Sequence, residues 1–237
     1  MKWLRTLVVF DQGNLVASTD WKDAHASYIR SIQSIDHPEG SGRLTLRRKV
    51  RRPDGQFNRN GVKYLKNRFF EHLVEIEGWR YEDSLDFESA DETPLLIDYP
   101  SMSPCREPIT SRFGDFDFVA HARDGSRVAI EWETGNISSS HRSLNKLSIG
   151  LGTDRLDIGV LIVPSRGLYE HLTDRIGNIG ELSPYISMWR DLGAAVHHGL
   201  LAISIVEQDA LTDDPGIPYL PAGDDGRARE GRARRWR

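Results

Sequence analysis

The nine residues "LDIGVLIVP", 156 to 164, constrain this chain more than any other stretch. Asp157 apart, they are apolar or glycine, so neither face of a strand built from them can meet water. Such a run is expected of a central strand covered on both sides and reached by a parallel crossover. "LLAISIVEQ", 200 to 208, reads as a second strand. Helices to cover the sheet are legible by their period. "STDWKDAHASYIRSIQSI" offers Ser18 or Thr19 as N-cap and places Trp21, Tyr28, Ile32 and Ile35 near one face, and the core is expected to begin there. A helix over about 62–77 carries Leu65, Phe69, Leu73 and Ile76, with Gly78 as its stop. Residues 139–151 form another, burying Leu144, Leu147 and Leu151, and 166–173 and 181–191 also read as helical. The expectation is an α/β protein with a mixed central β-sheet flanked by helices. With 237 residues, 38% of them hydrophobic, one core suffices, so 1–237 reads as one domain with a basic C-terminal arm at about 216–237.

Several classes are set aside by composition. "MKWLRTLVVF" starts like a signal peptide, but its apolar run is short and no small-residue cleavage site follows, and no stretch approaches the length of a membrane span. The single cysteine, Cys105, provides neither a disulfide framework nor a thiolate zinc site. A cytoplasmic protein without membrane contact is expected.

Between residues 115 and 133 the hydrophobic period changes to two. "DFDFVA" and "RVAIEWE", joined across "RDG", read as a β-hairpin with glycine in the left-handed position. Val128, Ile130 and Trp132 then share one face, and Ala129, Glu131 and Glu133 the other. A loop of Arg123, Asp124 and Gly125 sets Asp117 opposite Glu131; a two-residue loop would move Asp117 to the tryptophan face. Two glutamates at i and i+2 usually mark the wet face of a strand. Gathered with Asp117, they would repel one another unless a cation compensates, and a hard divalent ion with oxygen ligands does so. A carboxylate pair also suits glycosidase-like acid–base work, but no aromatic sugar platform lies beyond it.

The stretch after Glu133 suits DNA. In "TGNISSSHRS" the chain enters a helix N-terminus, where free N–H groups favour phosphate. Asn136, Ser138 and Arg142 are side chains that pair with base edges in the major groove, although serine caps and a solvated arginine are the commoner meaning of such a stretch. "LTDRIGN" sets Asp174 beside Arg175, an acceptor next to a fork of donors, or a local salt bridge. His141 reads as a packing or phosphate residue. Net charge is −4 but uneven: residues 41–63 carry eight basic residues against Asp54, and 226–237 carry six arginines against Glu230, giving +7 and +5. The other 202 residues therefore sum to −16. Two basic segments on an acidic body suit a polyanionic partner.

The residues "EWETGNISSSHRSLNKLSIGLG", "LDIGVLIVP" and "LYEHLTDRIGNIGELSPY" together resemble type II restriction endonucleases of the BamHI family. The likeness extends back through "LKNRFFEHLVEIEGWRYEDSLD" and forward to "IPYLPAGDDGRAREGRARRW", covering about residues 60–237 and weakening before that. It implies a PD-(D/E)xK nuclease fold in which glutamate, here Glu133, replaces the usual lysine. It also implies that Glu82, Asp117 and Glu131 hold Mg²⁺, with Mn²⁺ an acceptable substitute, and that Glu133 is the general base. Lys66 matches a lysine near the DNA backbone. Asn136, Ser138, Asp174 and Arg175, with Arg142 beside them, match major-groove readers, and Gly223 and Asp225 match an arm in the minor groove. The implied activity is cleavage of double-stranded DNA at GGATCC after the first G, by a homodimer in a bacterial or archaeal restriction-modification system. Its methyltransferase would act on the same site without a stable complex. The alternative is a sequence-specific DNA-binding protein that does not cleave. Ser140 and Leu144 stand where the family has Ala and Met, Gly114, Asp115 and Phe116 where it has Gly-Pro-Ile, and the N-terminal part is divergent and richer in arginine.

Overall fold

A computed structural model of the protein describes residues 1–79, 95–106, 116–122, 125–173 and 176–221. In chain order its strands are β1 (Lys2–Gln12), β2 (Thr45–Arg47), β3 (Val50–Arg51), β4 (Phe57–Asn58), β5 (Leu95–Ile97), β6 (Pro104–Arg106), β7 (Phe118–His121), β8 (Arg127–Trp132), β9 (Ile158–Pro164), β10 (Gly199–Glu207) and β11 (Ala210–Thr212). The helices are α1 (Thr19–Gln33), α2 (Lys63–Glu75), α3 (Ile137–Gly152), α4 (Arg166–Tyr169), α5 (Ile179–Leu182) and α6 (Ile186–Leu192).

The apolar run is the middle strand of a five-stranded sheet ordered β1-β10-β9-β8-β7. The three inner strands run parallel, and the two edges, β1 on β10 and β7 on β8, are antiparallel. Every residue of β9 is buried, as a strand covered on both faces requires. Against one face α1 and α2 pack Tyr28, Ile32, Leu65 and Phe69 onto Ile130 and Val160. Against the other, α3 and α6 pack Leu144, Leu147 and Trp189 onto Ala129 and Leu161. A Cβ on Gly159 would lie 3.3 Å from Leu147, so glycine at this point lets α3 settle directly on the central strand. Outside the sheet, β2 pairs with β11, and β3 and β4 form a small antiparallel ribbon. Among the described residues no helix is long and apolar enough to cross a membrane.

The mixed sheet with flanking helices agrees with expectation, and Ser18 caps α1 by accepting the Trp21 N–H at 3.1 Å. Three expectations need correction. The core begins with β1, an eleven-residue strand, before α1. That strand pairs on one side only, leaves Leu4 and Val8 exposed, and is bulged between Trp3 and Arg5 and between Val8 and Phe10, which blurs the period of two. Ile76 is 70% exposed, because α2 stops at Glu75 and Gly78, at φ +72°, turns the chain away. The helix expected over 166–173 is a single turn, α4.

Leu147→Ala should cost about 2–5 kcal/mol in a urea melt, since it empties a fully buried site between α3 and β9. A loss below about 1 kcal/mol would show that α3 does not pack as described.

Candidate active site

The hairpin closes with the longer of the two loops considered. Ala122 N–H donates to Ser126 O at 2.8 Å, Gly125 N–H donates to Ala122 O at 3.0 Å, and Gly125 sits at φ +93°. The ladder then pairs Phe118 with Ile130 and His121 with Arg127, a register that continues to Asp117 opposite Glu131. Beyond its last paired residue β8 is prolonged by Glu133, whose N–H donates to Ile162 O on β9 at 2.9 Å. The two glutamates thus leave the same face of one buried strand, at 6% and 5% exposure. That face is dry, contrary to the usual meaning of alternating glutamates.

Each carboxylate has its own partner. Asp117 accepts the Trp132 N–H at 2.9 Å through Oδ2, and its Oδ1 lies 2.6 Å from the Lys66 ammonium on α2. Glu131 meets the Lys146 ammonium on α3 at 2.5 Å and accepts from Ser143 Oγ at 3.3 Å. Lys146 is itself buried and lies over the Phe116 ring, 4.5 Å from its centroid. Glu133 accepts the Gly135 N–H at 2.6 Å through Oε1, while its Oε2 is buried without a hydrogen bond among the described residues. Burial raises the Glu131 carboxyl, the Asp117 charge raises it further, and Lys146 and Ser143 oppose the shift. Burial pushes Glu133 up to about 7; the neighbouring Ser140 hydroxyl and the Gly135 amide restrain it, and Glu131 and Asp117 add to it.

A hard cation fits this donor set. Asp117 and Glu131 are adjacent oxygen donors, the Asp117 charge adding to the rise of the Glu131 carboxyl, and Glu133 adds a buried oxygen without a hydrogen bond among the described residues. Among the described residues no group of three or more His, Cys, Asp or Glu comes together to hold a metal, and Glu82, the third expected ligand, lies outside the described residues. Gathered carboxylates do need a cation, and here two lysines supply the counter-charge. Lys66, expected beside the DNA backbone, sits on Asp117, and Lys146 was not among the expected site residues. Nothing local to "SLNKL" sets it apart from a solvated helix lysine, because its partner lies fifteen residues earlier on another element.

Glu133 leads directly into α3. Asn136, rather than a serine, is the N-cap, its Oδ1 accepting the Ser138 and Ser139 N–H groups at 2.9 and 3.3 Å. Two-point pairing of Asn136 with adenine would therefore draw its oxygen from the cap. Asn136, Ser138 and Arg142 are exposed, the last two one helical turn apart on one side of α3. His141 packs edge-on against Tyr185 and beside Trp189, a structural role. Asp174 and Arg175 lie outside the described residues, as do Gly223 and Asp225. The flanks of the Asp-Arg pair are anchored beside the site: Thr173 N–H donates to Asn60 O at 2.7 Å, Ile176 bridges to Asn136, and Gly177 N–H donates to Gly135 O at 3.0 Å.

The family model for the restriction endonuclease BamHI matches residues 1–227. The chain belongs to the BamHI family of restriction endonucleases. It is 37% identical over 198 residues to the type II restriction enzyme OkrAI of Oceanobacter kriegii, covering 84% of this chain and 85% of that one. It is 28% identical over 172 residues to the type II restriction enzyme BamHI of Bacillus amyloliquefaciens, covering 71% and 68%. Among solved structures, the restriction endonuclease BglII complexed with a DNA 16-mer superposes with a TM-score of 0.52 at 8% identity, over 89% of this chain and 84% of that one. The fold is that of a restriction endonuclease, and the protein is a type II site-specific deoxyribonuclease, a class that works with divalent metal. The family model also covers the divergent N-terminal part, including β1.

Two outcomes test this electrostatic arrangement without DNA. Lys146→Met should destabilise the metal-free protein by about 3–5 kcal/mol in a denaturant titration, because it leaves Glu131 buried without its cation; an unchanged midpoint would refute the pair's role. Glu133 carries a raised folded-state pKa, so between about pH 4.5 and 7 the folded form keeps a proton that the unfolded chain has released. Stability contributed by the protonated form is full below that window and is lost as pH rises through it, by roughly 2–3 kcal/mol. Glu133→Gln should flatten this slope in EDTA and raise the melting temperature at about pH 8.

Proposed function

We propose that this endonuclease acts as a homodimer that cuts double-stranded DNA at GGATCC after the first G, leaving four-base 5′ overhangs. The observation that carries this reading is the continuity of Glu131, Glu133, Asn136, Ser138 and Arg142. One buried strand runs into one exposed helix N-terminus, so whatever positions the bases also positions the phosphate. Asp174 and Arg175 would read adjacent G·C pairs from the segment anchored beside Asn136. Gly223 and Asp225 would follow the minor groove from a basic arm that begins near residue 216 and belongs to the same single domain.

Asp117, Glu131 and Glu82 would hold Mg²⁺, or Mn²⁺ in its place, and the ion would supply Lewis acidity and charge neutralisation at the scissile phosphate. The chain's own groups do the rest. Lys146 and Ser143 hold the Glu131 carboxylate on the α3 side of the sheet. Glu133, with a pKa near neutrality, takes the proton from the attacking water as its oxygen adds in line to phosphorus and the 3′ oxygen leaves. The leaving 3′ oxygen takes its proton from solvent water, and the products are 5′-phosphate and 3′-hydroxyl ends. Lys66 can exchange Asp117 for a DNA phosphate as the duplex arrives.

Two-fold DNA calls for a two-fold protein. The helix after Arg142, α3, spends its apolar face on the sheet, whereas Tyr185 just before α6 and Met188 and Leu192 on it expose 46%, 46% and 48% at helical spacing. That stripe supports α6 as the dimer contact. The setting would be the cytoplasm of a bacterium or archaeon, with a methyltransferase of the same specificity acting separately.

Plasmid digestion with Mg²⁺ or EDTA, followed by sequencing of the ends, tests the proposal. Metal-dependent GATC overhangs are expected, and they should disappear in Glu131→Ala. Asn136→Ala and Arg175→Ala should each cost roughly 1–3 kcal/mol of discrimination against altered sites. Discrete cuts elsewhere would overturn the specificity, and tight site-specific binding of uncut DNA would leave a binding protein.

A further inference from the structure

We propose that the β3–β4 ribbon is a phosphate clamp for the DNA that flanks the recognition site. The proposal rests on the endonuclease reading above and names a contact surface outside the base readers, the acidic site and the C-terminal arm.

Residues 47–59 hold six basic residues, Arg47, Arg48, Lys49, Arg51, Arg52 and Arg59, against Asp54, a net +5, so the rest of the chain sums to −9. These charges sit on a defined backbone. Val50 pairs with Asn58 and Arg51 with Phe57, Arg52 N–H donates to Gln56 O at 2.7 Å, and Gly55 at φ +82° closes the turn. Strands of two residues have little stability of their own. The ribbon's apolar side chains stay outside the core, since Val50 and Phe57 are exposed, and the Lys49 ammonium covers the Phe57 ring at 4.8 Å. At the tip Arg51 has no acidic partner among the described residues, and Arg52 pairs only with Asp54 of the same turn, at 2.8 Å. At the root Arg48 pairs with Asp213 at 3.4 Å and Arg47 lies over the Tyr219 ring, so it is the tip, with Arg51 and Arg52, that is suited to an external polyanion.

The root shows where that polyanion lies. Asn60 is fully buried, and four segments meet at it. Its Nδ2 donates to Arg47 O at 2.8 Å and His171 O at 3.0 Å, its carbonyl accepts Thr173 N–H at 2.7 Å, and its Oδ1 accepts Leu220 N–H at 3.3 Å. Gly61 N–H donates to Leu220 O at 2.9 Å, and Lys49 N–H donates to His171 Nδ1 at 3.3 Å. The ribbon therefore emerges beside the residues that precede the Asp174–Arg175 pair and the start of the arm. Its base packs with Leu44, Leu46 and Leu172 into the core layer of α1 and α2, whereas α6 belongs to the layer on the other face of the sheet. In a dimer joined through α6 the two ribbons stand away from the two-fold axis. A six-base-pair site is only about 20 Å long, so clamps farther than about 10 Å along the duplex from its centre meet the flanks.

The test compares wild type with Arg51→Gln/Arg52→Gln, and with Arg51→Glu/Arg52→Glu, both exposed changes whose folding is checked by a thermal melt. Binding is measured in EDTA as a function of salt on duplexes of about 24 and about 10 base pairs centred on GGATCC. On the long duplex the Gln variant should bind roughly tenfold more weakly, with a log–log salt slope lower by about 0.9 for each phosphate no longer neutralised, and the Glu variant should be weaker still. On the short duplex the variants should match wild type. An unchanged slope on the long duplex, or an equal loss on both, overturns the clamp. Failure of wild type to prefer GGATCC over a scrambled duplex overturns the specificity reading instead, and the wild-type and variant slopes still decide the clamp.

Discussion

The ion pair between Lys146 and Glu131 is the interaction on which the rest of this molecule depends. Both side chains are buried, and a charge in that setting is tolerable only beside its opposite. The pair spans β8 and α3, so it fixes the helix to the strand by charge where Leu144 and Leu147 fix it by packing. Lys66 does the same for Asp117 from the opposite layer, through α2. The sheet is thus pinned on both faces at the point where the carboxylates gather. A well-packed apolar pair would have held these layers at least as firmly, so the ionic solution has to be explained by what the carboxylates do.

On the roles proposed above, chemistry and recognition share one piece of chain because of this pinning. Glu133 still pairs with β9, and two residues later Gly135 turns into α3 under tight constraint: a Cβ there would lie 2.4 Å from Ser139 Oγ and 3.3 Å from Glu133 Oε1. The segment around Ile176 is stitched onto the same turn, and Gly177 leaves no room for a side chain against Ser140. A displacement of a few tenths of an ångström at the readers would be felt at Glu133. Coupling of this kind lets a mismatched base reduce the rate of cutting as well as the affinity, which is where a restriction enzyme needs its discrimination.

How much of the molecule is legible in its sequence depends on how local each signal is. β9 declares itself because its covering on both faces is written into every residue, and the hairpin register comes from Gly125 in a three-residue loop. Asp117, Glu131 and Glu133 are legible because two strands a turn apart in sequence carry them. Lys146 is not, since its partner lies fifteen residues away on another element and nothing in "SLNKL" marks a lysine that points inward. β1 escapes for a related reason: an edge strand with two bulges has neither the continuous apolarity of β9 nor a clean alternation, and its place is set by β10, some two hundred residues later. Ile76 misleads because the helical period runs past the point where the backbone turns.

Asn60 extends the same lesson from chemistry to assembly. Nothing about one asparagine in "FNRNGV" announces a junction, yet its backbone and side chain together close hydrogen bonds to chain segments at 47, 171–173 and 220. A residue with two donors and an acceptor beyond its own backbone can do this in a volume that admits little else, and every group it satisfies would otherwise be a buried polar atom without a partner. The basic ribbon, the segment leading to the Asp-Arg pair and the start of the arm then cannot move independently. On the proposed roles, a DNA-binding surface built from these three distant stretches behaves as one rigid piece only if such a junction exists, and rigidity there would allow contacts to sugar and phosphate to set the register in which bases are read.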